Sequence, residues 1–195
     1  GLWKTENGAD TWRPLTGFLQ DDSDPTVAAK ELALPIGAIG ICARTPDTMY
    51  VGTGEARTST HTGMGLYRSD DAGGSFTLVD GLGSGQIKAL GFDAIAVDPW
   101  NPDRYWLAVG RRISGTSRVD GGIWLHEPTA AAGSRFQQLP LDAPALAAIS
   151  NPKVTDLVID FGDTAQSAAG EQFFLYVGVQ NAGGRSRICR SITRE

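Results

Sequence analysis

Ser69, Asp71, Gly73 and Ser75 stand at alternate positions of one short stretch, Gly65-Leu-Tyr-Arg-Ser-Asp-Asp-Ala-Gly-Gly-Ser-Phe76. Of all the residues in this sequence, their types and spacing lend themselves best to specific chemistry. A short Asp side chain can accept hydrogen bonds from the N–H groups of its own turn, while Gly adopts a backbone conformation closed to other residues. The aromatic residue then leads the next strand and packs back over the turn. A second chemistry is calcium binding by Asp70 and Asp71, which would need more oxygen ligands than this turn offers. The plainest reading is an ordinary hairpin that carries Asp and Gly. Other chemistries find little support. His61 and His126 have no nucleophile motif beside them, and neither a zinc spacing nor a glycine-rich phosphate loop occurs.

The pattern S-x-D-x-G-x-[ST]-[WF] recurs. Gly1-Leu2-Trp3-Lys4-Thr5-Glu6-Asn7-Gly8-Ala9-Asp10-Thr11-Trp12 repeats the frame, with Asn7 in place of the Asp and Ala9 in place of the Gly. Gly122-Ile123-Trp124-Leu125-His126 repeats the leading strand, followed by a turn altered by Pro128 and lengthened before Phe136. Ser186-Arg187-Ile188-Cys189-Arg190-Ser191 gives that strand once more. Leu2, Leu66, Ile123 and Ile188 are then separated by 64, 57 and 65 residues. So long a period holds several strands per unit and fits a radially repeated sheet better than a small solenoid coil.

Composition agrees with an all-β chain. Twenty-five Gly and ten Pro supply many tight turns, and 195 residues with 41% hydrophobic content suit one folded domain. A net charge of −5 argues against generic nucleic-acid binding, which draws on a basic face. No apolar run approaches the length of a membrane span, and no signal peptide is recognisable. Cys42 and Cys189 fall two repeats apart, so no disulfide between them is expected.

The strands that position these turns follow one order. Residues 2–5 and 12–15 read as the last two strands of a first unit. Ile36–Ala43, Met49–Gly54, Leu66–Arg68 and Phe76–Val79 give four strands of a second, and residues 92–99, 105–110, 122–126 and 136–139 four of a third. Residues 154–160, 173–178 and 187–191 open a fourth. Asp21–Leu34 reads as a connecting loop with room for a short helical turn, and 142–150 as one further turn. The Asp98-Pro-Trp-Asn-Pro102 turn must end its strand, because two X-Pro bonds interrupt it. Ile39, Ile41, Ile95, Val97, Leu157 and Ile159 are expected between sheets.

These residues carry a resemblance. The Ser69–Phe76 and Thr5–Trp12 frames resemble the Asp-box (BNR repeat) of sialidase-like, sortilin-like and xyloglucanase-like β-propellers. Ala96-Val-Asp-Pro-Trp-Asn-Pro-Asp103 and Tyr50-Val-Gly-Thr-Gly-Glu55 resemble further phrases of the same superfamily. The resemblance implies an all-β propeller fragment of four-stranded antiparallel blades with Asp-box c–d turns. Residues 1–15 would end one blade, 36–79 and 92–139 form two, and 154–195 start a fourth. Because propellers close with about four to eight blades, three blade lengths are expected to belong to a longer chain. Its remaining blades, or a neighbouring protein chain, would be the partner.

In such a blade the b–c loops lie on the face opposite the boxes. That assigns a structural role to Thr5, Asn7, Trp12, Ser69, Asp71, Gly73, Ser75 and Phe76. It puts Glu55, Arg57, His61, Arg111, Arg112, Arg118, Asp120 and Arg185 on the ligand face. Arginine forks there would take carboxylate, sulfate or phosphate groups of a glycan or other anionic ligand; the alternative is a set of solvated loop charges. Trp100, in an a–b turn, would stack on sugar or cover a blade edge.

Sialidases of this fold carry an early Arg-Ile-Pro motif that is absent here. The endoglucanases place an Asp just after a strand b, and this chain has Glu55, Arg111 and Asn181 at or near those positions. The resemblance therefore implies a non-catalytic binding or assembly scaffold, extracellular or at the cell surface, with no cofactor, metal or membrane span. The alternative is a fragment of a propeller glycoside hydrolase whose acids lie elsewhere. A third class is an assembly factor like the plastid photosystem II propeller.

Overall fold

A computed structural model describes residues 1–15, 35–54, 63–79, 91–110, 112–114, 117–119, 121–140, 153–160, 174–180 and 186–190, with backbone alone at 112–114, 117–119 and 186. The described residues are all-β, in antiparallel sheets apart from a single turn of 3-10 helix at Ala132–Ser134.

Strands β1 (Trp3–Lys4) and β2 (Arg13–Pro14) pair as a two-stranded sheet. β3 (Ile36–Ile41), β4 (Met49–Thr53), β5 (Leu66–Ser69) and β6 (Thr77–Leu78) form a four-stranded sheet in chain order. β7 (Phe92–Val97) and β8 (Tyr105–Val109) open the next, and a ribbon of β9 (Arg112–Ser114) and β10 (Ser117–Val119) follows them. β11 (Gly122–His126) and β12 (Phe136–Leu139) complete that sheet. β13 (Lys153–Asp160), β14 (Phe174–Gln180) and β15 (Ser186–Arg190) form a three-stranded sheet. The β9–β10 ribbon lies within 111–121, which the sequence reads as loop.

Three sheets share one register. Ile39 pairs with Val51, Ile95 with Leu107, and Leu157 with Val177. Each first strand carries the same irregularity, at Ile36/Ala38, Phe92/Ala94 and Val154/Asp156. A β-bulge repeated at one place bends each strand alike, a feature of construction rather than an accident.

The core lies between sheets. β3 packs against β7, and β7 against β13. One cluster joins Tyr50 and Leu66 to Phe92, Ile95, Val97, Tyr105 and Leu107. The next joins Trp106, Ala108 and Ile123 to Val154, Leu157, Leu175, Val177 and Val179. A smaller one sets Leu2 and Leu15 on Val51.

Ile95, Val97 and Leu157 are buried as expected, and Ile159 is partly buried. Ile39 and Ile41 depart from the expectation, at 47% and 51% exposed. Alternation along β3 turns Ala38 and Gly40 toward β7, and the two isoleucines the other way. The small residues are the ones the fold needs at that contact. A Cβ on Gly40 would meet Ile95 Cγ2 at 2.5 Å, and one on Gly52 would meet Phe92 Cγ at 2.5 Å. Glycine there lets the next sheet approach closely.

Candidate functional site

The Ser69–Phe76 turn closes on its own side chains. Ser69 Oγ donates to Asp71 Oδ1 at 2.7 Å and accepts from the Gly73 N–H at 2.9 Å and the Asp71 N–H at 3.3 Å. The Ser75 N–H donates to Asp71 Oδ1 at 2.8 Å, and the Ser75 hydroxyl to Asp71 Oδ2 at 2.6 Å. Hydrogen bonds from the Ser75 hydroxyl and N–H, then from Ser69, hold the Asp71 carboxyl well below its usual range.

The Thr5–Trp12 turn reproduces this set. Thr5 Oγ1 donates to Asn7 Oδ1 at 3.0 Å and accepts from the Ala9 N–H at 3.0 Å and the Asn7 N–H at 3.4 Å. The Thr11 N–H donates to Asn7 Oδ1 at 3.0 Å. One bond reverses: the Asn7 amide donates to Thr11 Oγ1 at 2.8 Å, where the Ser75 hydroxyl donates to Asp71. The Asn amide therefore satisfies the same turn without a charge.

Both turns sit at the end of the sheets that carries the connections between first and second strands. The Ala72 N–H donates to Asp47 O, Lys4 Nζ to Ala72 O, and Thr48 Oγ1 to Asp70 Oδ1. Arg68 ties this end together: its Nε contacts Asp70 at 2.9 Å, and its Nη1 makes a close ion pair with Asp103 of the next sheet. Asp98, fully buried, accepts from the Trp100 N–H at 2.8 Å and from Arg104 Nε at 2.7 Å, which satisfies the Asp-Pro turn. Tyr50 donates its hydroxyl to Pro102 O at 2.9 Å and lies 4.3 Å from the Tyr105 ring. His126 stacks on Tyr105 at 4.7 Å, with Nδ1 at 2.6 Å from Asp103 O. Burial pushes both tyrosine hydroxyls well up, so neither serves as a base near neutrality. The carboxylates of Asp70, Asp71, Asp98 and Asp103 are thus engaged in turn bonds and ion pairs.

Trp100 is half-buried, with the Arg44 guanidinium 5.5 Å from its ring centre. Cys42 and Cys189 are both free, Cys42 buried near the Asp98 carbonyl. Among the described residues no three His, Cys, Asp or Glu side chains gather as a metal site requires.

Glu55, Arg57, His61, Arg111, Asp120 and Arg185 lie outside the described residues, as do the loop 21–34 and the turn at 142–150. Arg112 and Arg118 are described by backbone only, on the two strands of the β9–β10 ribbon, where Arg118 pairs with Ile113 and Arg112 with Val119. A Gly-Thr pair, Gly115-Thr116, between two short runs, Arg112-Ile-Ser and Ser117-Arg-Val, is the signal that could have found the ribbon. The Arg68–Asp103 pair spans 35 residues and has no local signal. No family model and no curated protein matches this chain.

Proposed function

We propose that this chain is a stretch of an Asp-box β-propeller that acts as a non-catalytic binding or assembly scaffold, extracellular or at the cell surface. The observation that carries this reading is the pair of turns whose side chains form the same bonds 64 residues apart. A polar set repeated in all but one bond on successive sheets, and consumed within its own turn, serves construction. Sheets stacked face to face, with strands in chain order and a shared bulge, add to it. Ligand chemistry is then expected of Arg57, Arg111, Arg112, Arg118 and Arg185, which fall in the sequence between the second and third strands of successive units. A glycan or other ligand bearing carboxylate or sulfate groups fits those guanidinium groups. The other partner is further sheet, from the parent chain or a neighbour.

The test is binding of a panel of sulfated and carboxylated glycans to wild type, to the five Arg→Ala substitutions combined, and to Asp71→Ala. Loss of binding with an unchanged melt is expected for the arginine variant. For Asp71→Ala the expected result is a lowered melting temperature with unchanged affinity. Hydrolysis of xyloglucan or a sialoside by the chain, or loss of binding without loss of stability in Asp71→Ala, would overturn the reading.

A further inference from the structure

Of the asparagines in this chain, only Asn7 is followed by glycine. Asn101 and Asn151 each precede a proline, which has no N–H to offer, and Asn181 precedes Ala182. Asn7 holds in its turn the place that Asp71 holds in the other. The backbone nitrogen that follows an asparagine is placed to close a cyclic imide on the side-chain amide carbon, and a side chain on that next residue crowds the closure. Gly8 has no side chain, and even an added Cβ would meet nothing within 4 Å. Exposure of the position belongs to the turn itself. Asp71 is exposed as well, although its hairpin lies in a complete four-stranded sheet that packs on the next.

The hydrogen bonds of the turn fall on the atoms that such a closure changes. Asn7 Oδ1 accepts from Thr5 Oγ1 and from the Thr11 N–H, both at 3.0 Å. Negative charge develops on that oxygen as a nitrogen adds to Cγ, and two fixed donors favour it. Thr11 Oγ1 lies 2.8 Å from Nδ2, the group that would leave. Turned the other way, its hydroxyl hands Nδ2 a proton, in the sense in which the Ser75 hydroxyl donates to Asp71.

We propose that Asn7 is a self-modification site, where the Gly8 amide nitrogen displaces the side-chain nitrogen as ammonia and aspartate is left in the turn. The Gly8 nitrogen gives its proton to solvent and bonds to Asn7 Cγ. The Cγ–Nδ2 bond breaks, and Nδ2 departs with the added proton as ammonia. Water then opens the imide. Cleavage of its Cγ–N bond restores the main chain with aspartate at position 7, and cleavage of its other C–N bond leaves an isoaspartyl link that lengthens the backbone by a methylene. The sum is asparagine plus water to aspartate plus ammonia, with no oxidant or cofactor. The aspartate product is the one the fold accepts, because Asp71 already closes the same turn with its carboxylate. None of this depends on the scaffold reading or on the arginine-bearing connections.

The test holds the full chain at neutral pH and 37 °C, with peptide mapping to read acid at position 7 and an enzymatic assay to read ammonia. It compares folded wild type, wild type unfolded in urea, Gly8→Ala and Thr11→Val, with melts to verify that both variants fold. Ala72 stands in the other turn where Gly8 stands here, at φ 56°, so Gly8→Ala keeps the backbone, and Thr11→Val keeps the N–H at residue 11. Folded wild type should convert with ammonia released in step, and faster than the same chain in urea. Thr11→Val should slow conversion by about tenfold, the worth of one hydrogen bond in the transition state. Gly8→Ala should show no conversion in the time that wild type converts by half. An Asn7 that persists in the folded wild type, conversion by either variant at the wild-type rate, or a folded chain that converts no faster than the unfolded one would overturn the proposal.

Discussion

The hairpins Gly1–Leu15 and Gly65–Val79 do the same job with different residues. In both, the last residue returns its N–H to the second, Leu15 to Leu2 O and Val79 to Leu66 O, each at 2.8 Å. In both, two successive residues lie in the left-handed region: Gly8 and Ala9 at φ 69° and 78°, Ala72 and Gly73 at 56° and 86°. Each turn thus provides one glycine for two demanding positions, and the two turns provide it at opposite ones. The backbone is set by the Ser/Thr and Asp/Asn side chains at fixed spacing, so glycine at one site lowers the cost without being required at both. What differs is the setting. Leu66 sits in a large closed cluster and Leu2 in a small one. The Ser69 turn packs under Leu15 and Met49, whereas the Thr5 turn stands in solvent.

The largest separation between the hairpins should come from their leading leucines. Leu66→Ala is expected to cost about 3 kcal/mol and Leu2→Ala about 2 kcal/mol, read from denaturant melts. Equal costs would mean that the two strands are covered alike.

Next come the glycines. Gly73→Ala should cost about 2 kcal/mol, because its Cβ would stand 2.7 Å from Leu15 Cδ1 in a left-handed conformation. Gly8→Ala, with nothing within 4 Å, should cost about 1 kcal/mol from the backbone alone. A reversed order would place the packing on the wrong turn.

The smallest effect is a gain. Ala72→Gly and Ala9→Gly should each stabilise by about 0.5 kcal/mol by relieving a positive φ, in thermal melts of the full chain. Destabilisation by either would show that the alanine methyl packs usefully.

The turns were legible because their bonds are local, and a Ser-x-Asp spacing fixes donor and acceptor within five residues. The strands were legible for a similar reason: apolar runs such as Met49–Thr53 and Tyr105–Val109 are bounded by Asp, Pro and Gly. The direction each face points was not. Ile36-Gly-Ala-Ile-Gly-Ile41 alternates perfectly well either way, and only the arrival of Ile95 and Phe92 decides that the small residues are the inner ones. Arg68–Asp103 and Asp98–Arg104 show the same divide. The second follows from an Asp-Pro turn six residues long, while the first exists only once two sheets meet.

The central claim is that the two turns are one structural device whose acid group works by hydrogen-bond geometry, and Asp71→Asn tests it most directly. Asn7 already fills this role in the first turn. The Asp71 carboxyl is held below its ordinary value in the folded chain, so the unfolded chain binds that proton more readily. The stability it contributes is complete above about pH 4 and drains away as pH falls toward the folded value. Thermal melts of wild type, Asp71→Asn and Asp71→Ala should therefore show Asp71→Asn close to wild type at neutral pH and well above Asp71→Ala. Below pH 4 the wild type should lose more stability than Asp71→Asn. An Asp71→Asn variant as unstable as Asp71→Ala at neutral pH, or one that follows the wild type through the acid range, would contradict the account, since the charge itself would then have another purpose.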